Sequence, residues 1–391
     1  MGKTRGVKGK GDGSVRRIVL SGYYGFHNSG DEAVLKSILT ALDDAGKAAG
    51  LKIEPIVLSG DPEWTSKHYG VESVPRMKLA EVRRALRGSD GLISGGGSLL
   101  QDATGLGSIP YYLGIMALAR WCGVPTFVYA QGIGPVNRKL FRPFIARAFK
   151  KAAYVSVRDE GSAALIRGYG VPAEKVEVVP DPVMGLPPGE AGAGEDASEV
   201  DARDGAREDT RPIIGVSVRF WRDDRADLDR AIAALEALAG RAPGGVRLRF
   251  LPFHQGSGKD ADVDASRYVM ERLSFAAELA PAHEDPQRML REVGRCALLI
   301  GMRLHSLIYA ANREVPLLGI SYDPKIDQFL ARLGQRAVGT TEALDPDRFA
   351  EKVLETINNP AGWHAASGLA VVKLKQDAFR PAQQIVDYLR I

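Results

Sequence analysis

The chain has 391 residues, 45% hydrophobic and 26% charged, enough to bury a sizeable core and to build two or three domains. Its 52 basic and 48 acidic residues leave a net charge of only +4, too small for a nucleic-acid-binding chain. Two cysteines, Cys122 and Cys296, exclude a disulfide framework and a four-cysteine zinc site, and both read as buried thiols in apolar stretches. No apolar run approaches the roughly 18 residues of a membrane span, and the basic start MGKTRGVKGKGDGSVRR has no apolar stretch behind it. A soluble cytoplasmic protein is expected.

Residues 1–16, rich in Gly, Lys and Arg, predict a disordered basic tail. Residues 17–186 then alternate short apolar runs with amphipathic stretches, the pattern of a parallel sheet covered by helices. RIVLSGYY, IEPIVLSG, GLISGG, TFVYAQGIG, YVSVRD and VEVVPDPV read as strands. GDEAVLKSILTALDDAG, SIPYYLGIMALARWCG, NRKLFRPFIARAFKKA and EGSAALIRGYG read as the helices between them. Residues 187–211 fall in an acidic stretch with almost no large apolar residue, which predicts a mobile, dispensable linker. Residues 212–391 repeat the rhythm, with PIIGVSVRF, VRLRFLPFH, ALLIGM and VPLLGISY as strands. AFRPAQQIVDYLRI closes the second domain as a helix after a lysine-containing loop. The expectation is an α/β protein of two Rossmann-like domains, with its site in the cleft at the carboxyl ends of the strands.

Several chemistries are excluded by inspection. No P-loop, no G-x-G-x-x-G after a strand, and no G-x-S-x-G, H-E-x-x-H or C-x-x-C occurs. DADVD, Asp260 to Asp264, superficially resembles a metal-binding run, but acids opening a helix more often serve its dipole. No metal or cofactor is expected.

Four places carry signal. In SGYYGFHNSGDEAVL a strand runs through a glycine loop into a helix that opens with two acids. Asn28 or Ser29 could cap it, and Tyr24, Asn28, Asp31 and Glu32 suit a sugar-binding wall. In ISGGGSLLQDATG, Gly96 and Gly97 allow close approach to a ligand, and Ser98, Gln101 and Asp102 add polar groups. In IGMRLHSLIYA, Arg303 and His305 stand at a helix N-terminus, and Lys325 in SYDPKIDQFL holds the same position after the next strand. Cations there oppose the helix dipole unless an anion is present, so the three read as a phosphate or carboxylate trap. Arg158, ending YVSVRD, faces the same cleft or pairs with Asp159 or Glu160. Among other histidines, His254 is placed near the cleft, and His68, His283 and His364 at the surface. A wheel of Arg138 to Ala152 puts Leu140, Phe141, Phe144, Ile145, Ala148 and Phe149 on one half. Lys139, Arg142, Arg147, Lys150 and Lys151 take the other, with no acid in the segment. The segment reads as a helix packed on the sheet, or as one that also touches an anionic membrane.

Taken together, SGYYGFHNSGDEAVL, GLISGGGSLLQD, VSVRDEGS and GMRLHSLIYA resemble the polysaccharide pyruvyl transferases, closest to the bacterial CsaB-type enzymes of cell-wall polymer synthesis. The match runs from about Arg17 onward; the basic tail and acidic linker lie outside it. The resemblance implies a GT-B-like pair of domains, phosphoenolpyruvate as donor, and a pyruvate ketal plus phosphate as products. It further implies a lipid-linked, N-acetylmannosamine-containing disaccharide as acceptor, bound on the side of the first domain. Arg303, Leu304, His305, Lys325 and Arg158 take the family's donor positions, with His305 as general acid. Asp31, Glu32 and Asp102 remain open as the base. The competing reading is a nucleotide-sugar glycosyltransferase of the same architecture, and a non-catalytic ligand-binding protein comes third.

Overall fold

The computed structural model describes residues 14–102, 105, 107–189, 211–242, 244–254 and 261–391. Most of the basic tail and of the acidic linker, and Asp260 of the DADVD run, lie outside the described residues.

The first sheet contains β1 (Val15–Tyr24), β2 (Lys52–Ser59), β3 (Glu72–Pro75), β4 (Gly91–Gly95), β5 (Thr126–Gln131), β6 (Tyr154–Val157) and β7 (Glu177–Val178). All are parallel, in the order β3-β2-β1-β4-β5-β6-β7. The second contains β8 (Ile213–Ser217), β9 (Arg247–Phe250), β10 (Glu278–Leu279), β11 (Leu298–Gly301), β12 (Leu317–Ser321) and β13 (Gly339–Thr340), also parallel, in the order β10-β9-β8-β11-β12-β13. Both are doubly wound. In each, the strand order reverses beside the first strand, between β1 and β4 and between β8 and β11, and ligands of such sheets bind at that crevice.

Local chemistry sets the element ends. The helix Ser29–Ala49 starts where Asn28 Oδ1 accepts from the Gly30 N–H at 3.1 Å, and stops at Gly50, which turns left-handed at φ 69°. One apolar cluster covers the outer face of the first sheet and another that of the second, while a third runs continuously between the domains. Asn312 seals that junction: its buried amide donates to the carbonyls of Val183, Met184 and Leu186, at 2.8 to 3.1 Å.

Five details differ from the sequence reading. β1 begins at Val15, inside the stretch assigned to the tail. The edge strands β3, β10 and β13 have two to four residues each, too few to show alternation. The expected lysine-containing loop is part of a helix, Pro360–Asp377, in which Val371 and Leu374 are buried and Lys373 points to solvent. The helix Arg380–Arg390 crosses back onto the first domain, where Tyr388 meets Phe127 edge-on at 5.2 Å and Arg16 donates to the Leu389 carbonyl at 2.8 Å. Cys296 is buried, but Cys122, at a helix end, is only half-buried.

Candidate active site

A cleft of about 550 Å³ opens between the carboxyl ends of the two sheets. The first domain contributes Tyr23, Asn28, Asp31, Gly97, Ser98 and Arg158 to its wall, and the second contributes Arg303, His305, Tyr322 and Lys325. Leu304 and Gln101 line it as well.

Four basic groups from three strand ends converge. Arg303 caps the helix Leu304–Asn312 after β11, and Lys325 lies in the first turn of the helix Pro324–Arg332 after the adjacent β12. Arg158 follows β6 and is 8% exposed. Ser98 joins the domains: its hydroxyl oxygen accepts from Arg158 Nη2 at 2.9 Å and from Lys325 Nζ at 3.3 Å. Carboxylates aim the arginines. Asp181 lies 3.3 Å from Arg158 Nη1, and Asp159 3.7 Å from its Nε. Buried Asp262 accepts from Nε and Nη2 of Arg303, while its other oxygen accepts from the Phe253 and His254 N–H groups at 3.0 and 2.9 Å. The DADVD run thus supplies an arginine clamp through Asp262. Lys325 makes no ion pair among the described residues. Burial, then the charge of Arg158, hold its pKa below the usual lysine value.

His305 sits deep in the cleft against the first turn of the helix Ser29–Ala49. A Cβ on Gly30 would stand 2.5 Å from its Nδ1, so glycine is required there. Its buried Nε2 has no hydrogen-bond partner among the described residues and lies 3.8 Å from Asp181. Burial lowers the His305 pKa, outweighing the pull of Asp181, and Arg158 and Arg303 act in the same direction as burial. The shift favours the neutral imidazole.

Of the three candidate bases, only Asp31 lines the cleft. Burial, helped by the charge of neighbouring Glu32, pushes its carboxyl up to about 7. Gly97, at φ 71°, makes room for it, since a Cβ there would lie 2.7 Å from Asp31 Oδ1. Glu32 is 1% exposed and already engaged. It accepts from the Gly25 and Phe26 N–H groups at 2.8 and 3.3 Å and from the Tyr69 hydroxyl at 2.8 Å. Asp102 accepts from the Asn137 and Arg138 N–H groups, both at 2.8 Å, and so ties the glycine loop to the next loop. Tyr24 turns into the core and donates to the Gly95 carbonyl at 2.8 Å, and Gly96 packs on Val34. These four are scaffold, away from the cleft wall.

The aromatic wall is Tyr23, which stacks on Phe26 at 4.0 Å with ring planes 8° apart; both rings are about two-fifths exposed. Opposite, Tyr322 packs at 4.4 Å on half-exposed Trp221. Sequence reading missed Asp181 and the cleft-lining Tyr112 and Tyr322, and read Asp262 only as a dipole partner in the DADVD run. His254 is outside the cleft wall: its backbone bridges to Asn28 across the domains. His68, stacked on Trp64 at 4.6 Å, and His283 are half-buried, whereas His364 is exposed.

The architecture matches the UDP-GlcNAc 2-epimerase from Neisseria meningitidis bound to UDP-GlcNAc, with a TM-score of 0.64 over 96% of this chain and 100% of that one, at 10% identity. It matches the UDP-GlcNAc 2-epimerase from Methanocaldococcus jannaschii at TM-score 0.62 and 10% identity, over 96% and 99% of the two chains. Anabaena Alr3699/HepE in complex with UDP-glucose gives 0.57 and 12%, over 95% and 98%. These likenesses establish the two-domain GT-B-like fold. Residues 28–324, which run from the cap of the first-domain helix through the Arg303–His305 segment, match the family described as polysaccharide pyruvyl transferase, and the chain belongs to that family.

Proposed function

We propose that the protein transfers the pyruvyl group of phosphoenolpyruvate onto two hydroxyls of one sugar, releasing phosphate. The observation that carries this is the convergence in one cleft of Arg158 from the first domain with Arg303, His305 and Lys325 from the second, beside Asp31. A phosphate and a carboxylate on one small frame need several fixed cations and little apolar surface.

The chemistry balances within this set of groups. The donor methylene gains a proton as one sugar hydroxyl adds to C2. The C2–O bond to phosphate then breaks, and the second hydroxyl adds to the oxocarbenium-like carbon. Two hydroxyl protons are released; one replaces the proton given to the methylene, and the other leaves with phosphate. No net proton is needed. His305 delivers the proton to the methylene, because the donor's negative charges raise its pKa once they lie beside it. Asp31 takes the hydroxyl protons, poised near neutrality. Arg303, Arg158 and Lys325 stabilise the charge growing on the departing phosphate, and Leu304 sets the spacing of Arg303 and His305. Tyr23, Asn28 and Gln101 form the acceptor wall. No step calls on a metal or cofactor. The family resemblance favours an N-acetylmannosamine-containing, lipid-linked disaccharide as acceptor, in cell-wall polysaccharide synthesis.

The test is phosphate release from phosphoenolpyruvate with and without that disaccharide. Release that depends on acceptor supports the reading. A protein that ignores phosphoenolpyruvate and binds a nucleoside diphosphate would instead be a glycosyltransferase.

A further inference from the structure

The loop and helix after β5 carry a surface that the proposed chemistry does not use. The 3-10 turn Lys139–Phe141 runs into the helix Arg142–Lys151, which buries Ile145, Ala148 and Phe149 against the sheet. Two members of the expected apolar half do not follow. Leu140 is 71% exposed and Phe144 57%, although a helix packed on a sheet would normally cover such residues.

Their surroundings are cationic. Arg138, Lys139, Arg147 and Lys150 are exposed, and no acid occurs from 138 to 152. Among the described residues Lys139, Arg147, Lys150 and Lys151 make no ion pair. Arg142 departs from the wheel: it is half-buried, with its guanidinium 5.4 Å over the Tyr169 ring. Next to this helix, the helix Ser108–Trp121 ends in Arg120 and Trp121, the latter 67% exposed. Burial lowers the pKa of Arg120, and the charge of nearby Arg147 lowers it further.

The surface is also coupled to the cleft. Asp102 holds the N–H groups of Asn137 and Arg138, and its glycine loop supplies Gly97, Ser98 and Gln101 to the cleft wall.

We propose that Leu140 and Phe144, ringed by Lys139, Arg147 and their basic neighbours, dock the first domain onto an anionic lipid bilayer. Charge alone would equally suit an acidic protein. Exposed Leu and Phe amid unpaired cations favour lipid, because apolar side chains enter the acyl boundary while Lys and Arg meet the headgroups.

The test is co-sedimentation of the full chain with vesicles of equal parts phosphatidylglycerol and phosphatidylcholine, against phosphatidylcholine alone. Binding to the anionic vesicles is expected at low salt, with release at about 0.5 M salt. Lys139→Glu with Arg147→Glu should weaken it at least about tenfold, and Leu140→Ser with Phe144→Ser by about the same factor. Circular dichroism confirms that each variant is folded, and phosphate release with a soluble acceptor should stay at the wild-type level. Equal binding by either pair of variants overturns the proposal. If only the charge reversals matter, the face belongs to an acidic partner in water. Sedimentation without vesicles would assign it to self-association.

Discussion

The two domains share the order of six strands and yet present helix N-termini of different charge to the cleft. After β1, the helix opens with Asn28, Asp31 and Glu32, a cap and two acids that its dipole favours. The helix after β8, the counterpart of β1, also opens with acids, Asp227 and Asp229, whereas the helices after β11 and β12, which hold the places of β4 and β5, bring Arg303, His305 and Lys325 to the cleft. The acids suit the dipole of their helix, whereas cations at a helix start gain when an anion lies beside them. The cleft thus receives Asp31 from the helix after β1 and cations from the helices after β11 and β12. The division is not complete, since Arg158 of the first domain joins the cations through Ser98.

The most severe way to break this asymmetry is to remove the titrating group on the cationic side. His305→Ala should fold normally and lower turnover about 10²–10⁴-fold, read as phosphate release. Near-normal turnover would remove His305 from the mechanism.

Asp31→Asn acts on the other side, with an expected loss of about 10²-fold in turnover. It also has a pH signature. A base with a pKa of about 7 is competent once ionised, so the wild-type rate should climb as pH rises through that value, and the variant should lose this limb. Stability should move the opposite way. The folded carboxyl holds its proton more tightly than the unfolded one, so the wild type loses stability as pH rises from about 4 to 7. Asp31→Asn should accordingly melt at least about 2 °C higher at pH 8, with the gap closing toward pH 4. A lower melting temperature at pH 8 would mean that Asp31 is ionised and well paired in the fold.

Arg303→Ala and Lys325→Ala sharpen the comparison by probing the donor alone. Each should weaken phosphoenolpyruvate binding by about 1.5–3 kcal/mol in calorimetry and leave acceptor affinity unchanged. The reverse pattern would exchange the roles of the two domains. The smallest expected effect is Tyr23→Ala, with a loss of about 0.5–1.5 kcal/mol in acceptor affinity and none in donor affinity.

The two domains were also unequally legible in the sequence. Arg303, His305 and Lys325 could be placed because buried strands locate the helix starts that follow them, and adjacent strands bring those starts together. The first-domain wall was harder to read. Alternation along β1 puts Tyr23 and Tyr24 on opposite faces but does not say which faces the cleft, and the pairing with β2 shifts register between Ser21 and Tyr24. Glu32 and Asp102 look like bases because they are acids near glycines, and only the folded loops show that backbone N–H groups occupy both. The pairing of Asp181 with Arg158 and of Asp262 with Arg303 was hidden for a different reason. Each acid meets its arginine through tertiary packing between separate elements, which no local pattern encodes.

The crossing of the helix Arg380–Arg390 has a consequence for biosynthesis. Ile385, Val386 and Leu389 fill the same apolar cluster as Ile18 and Leu20, so the first domain lacks part of its core until they are made. At about 5–20 residues per second, the roughly 200 residues that separate the two take about 10–40 s to translate. Over that interval the nascent first domain exposes the apolar seat of this helix to whatever chaperones attend the ribosome.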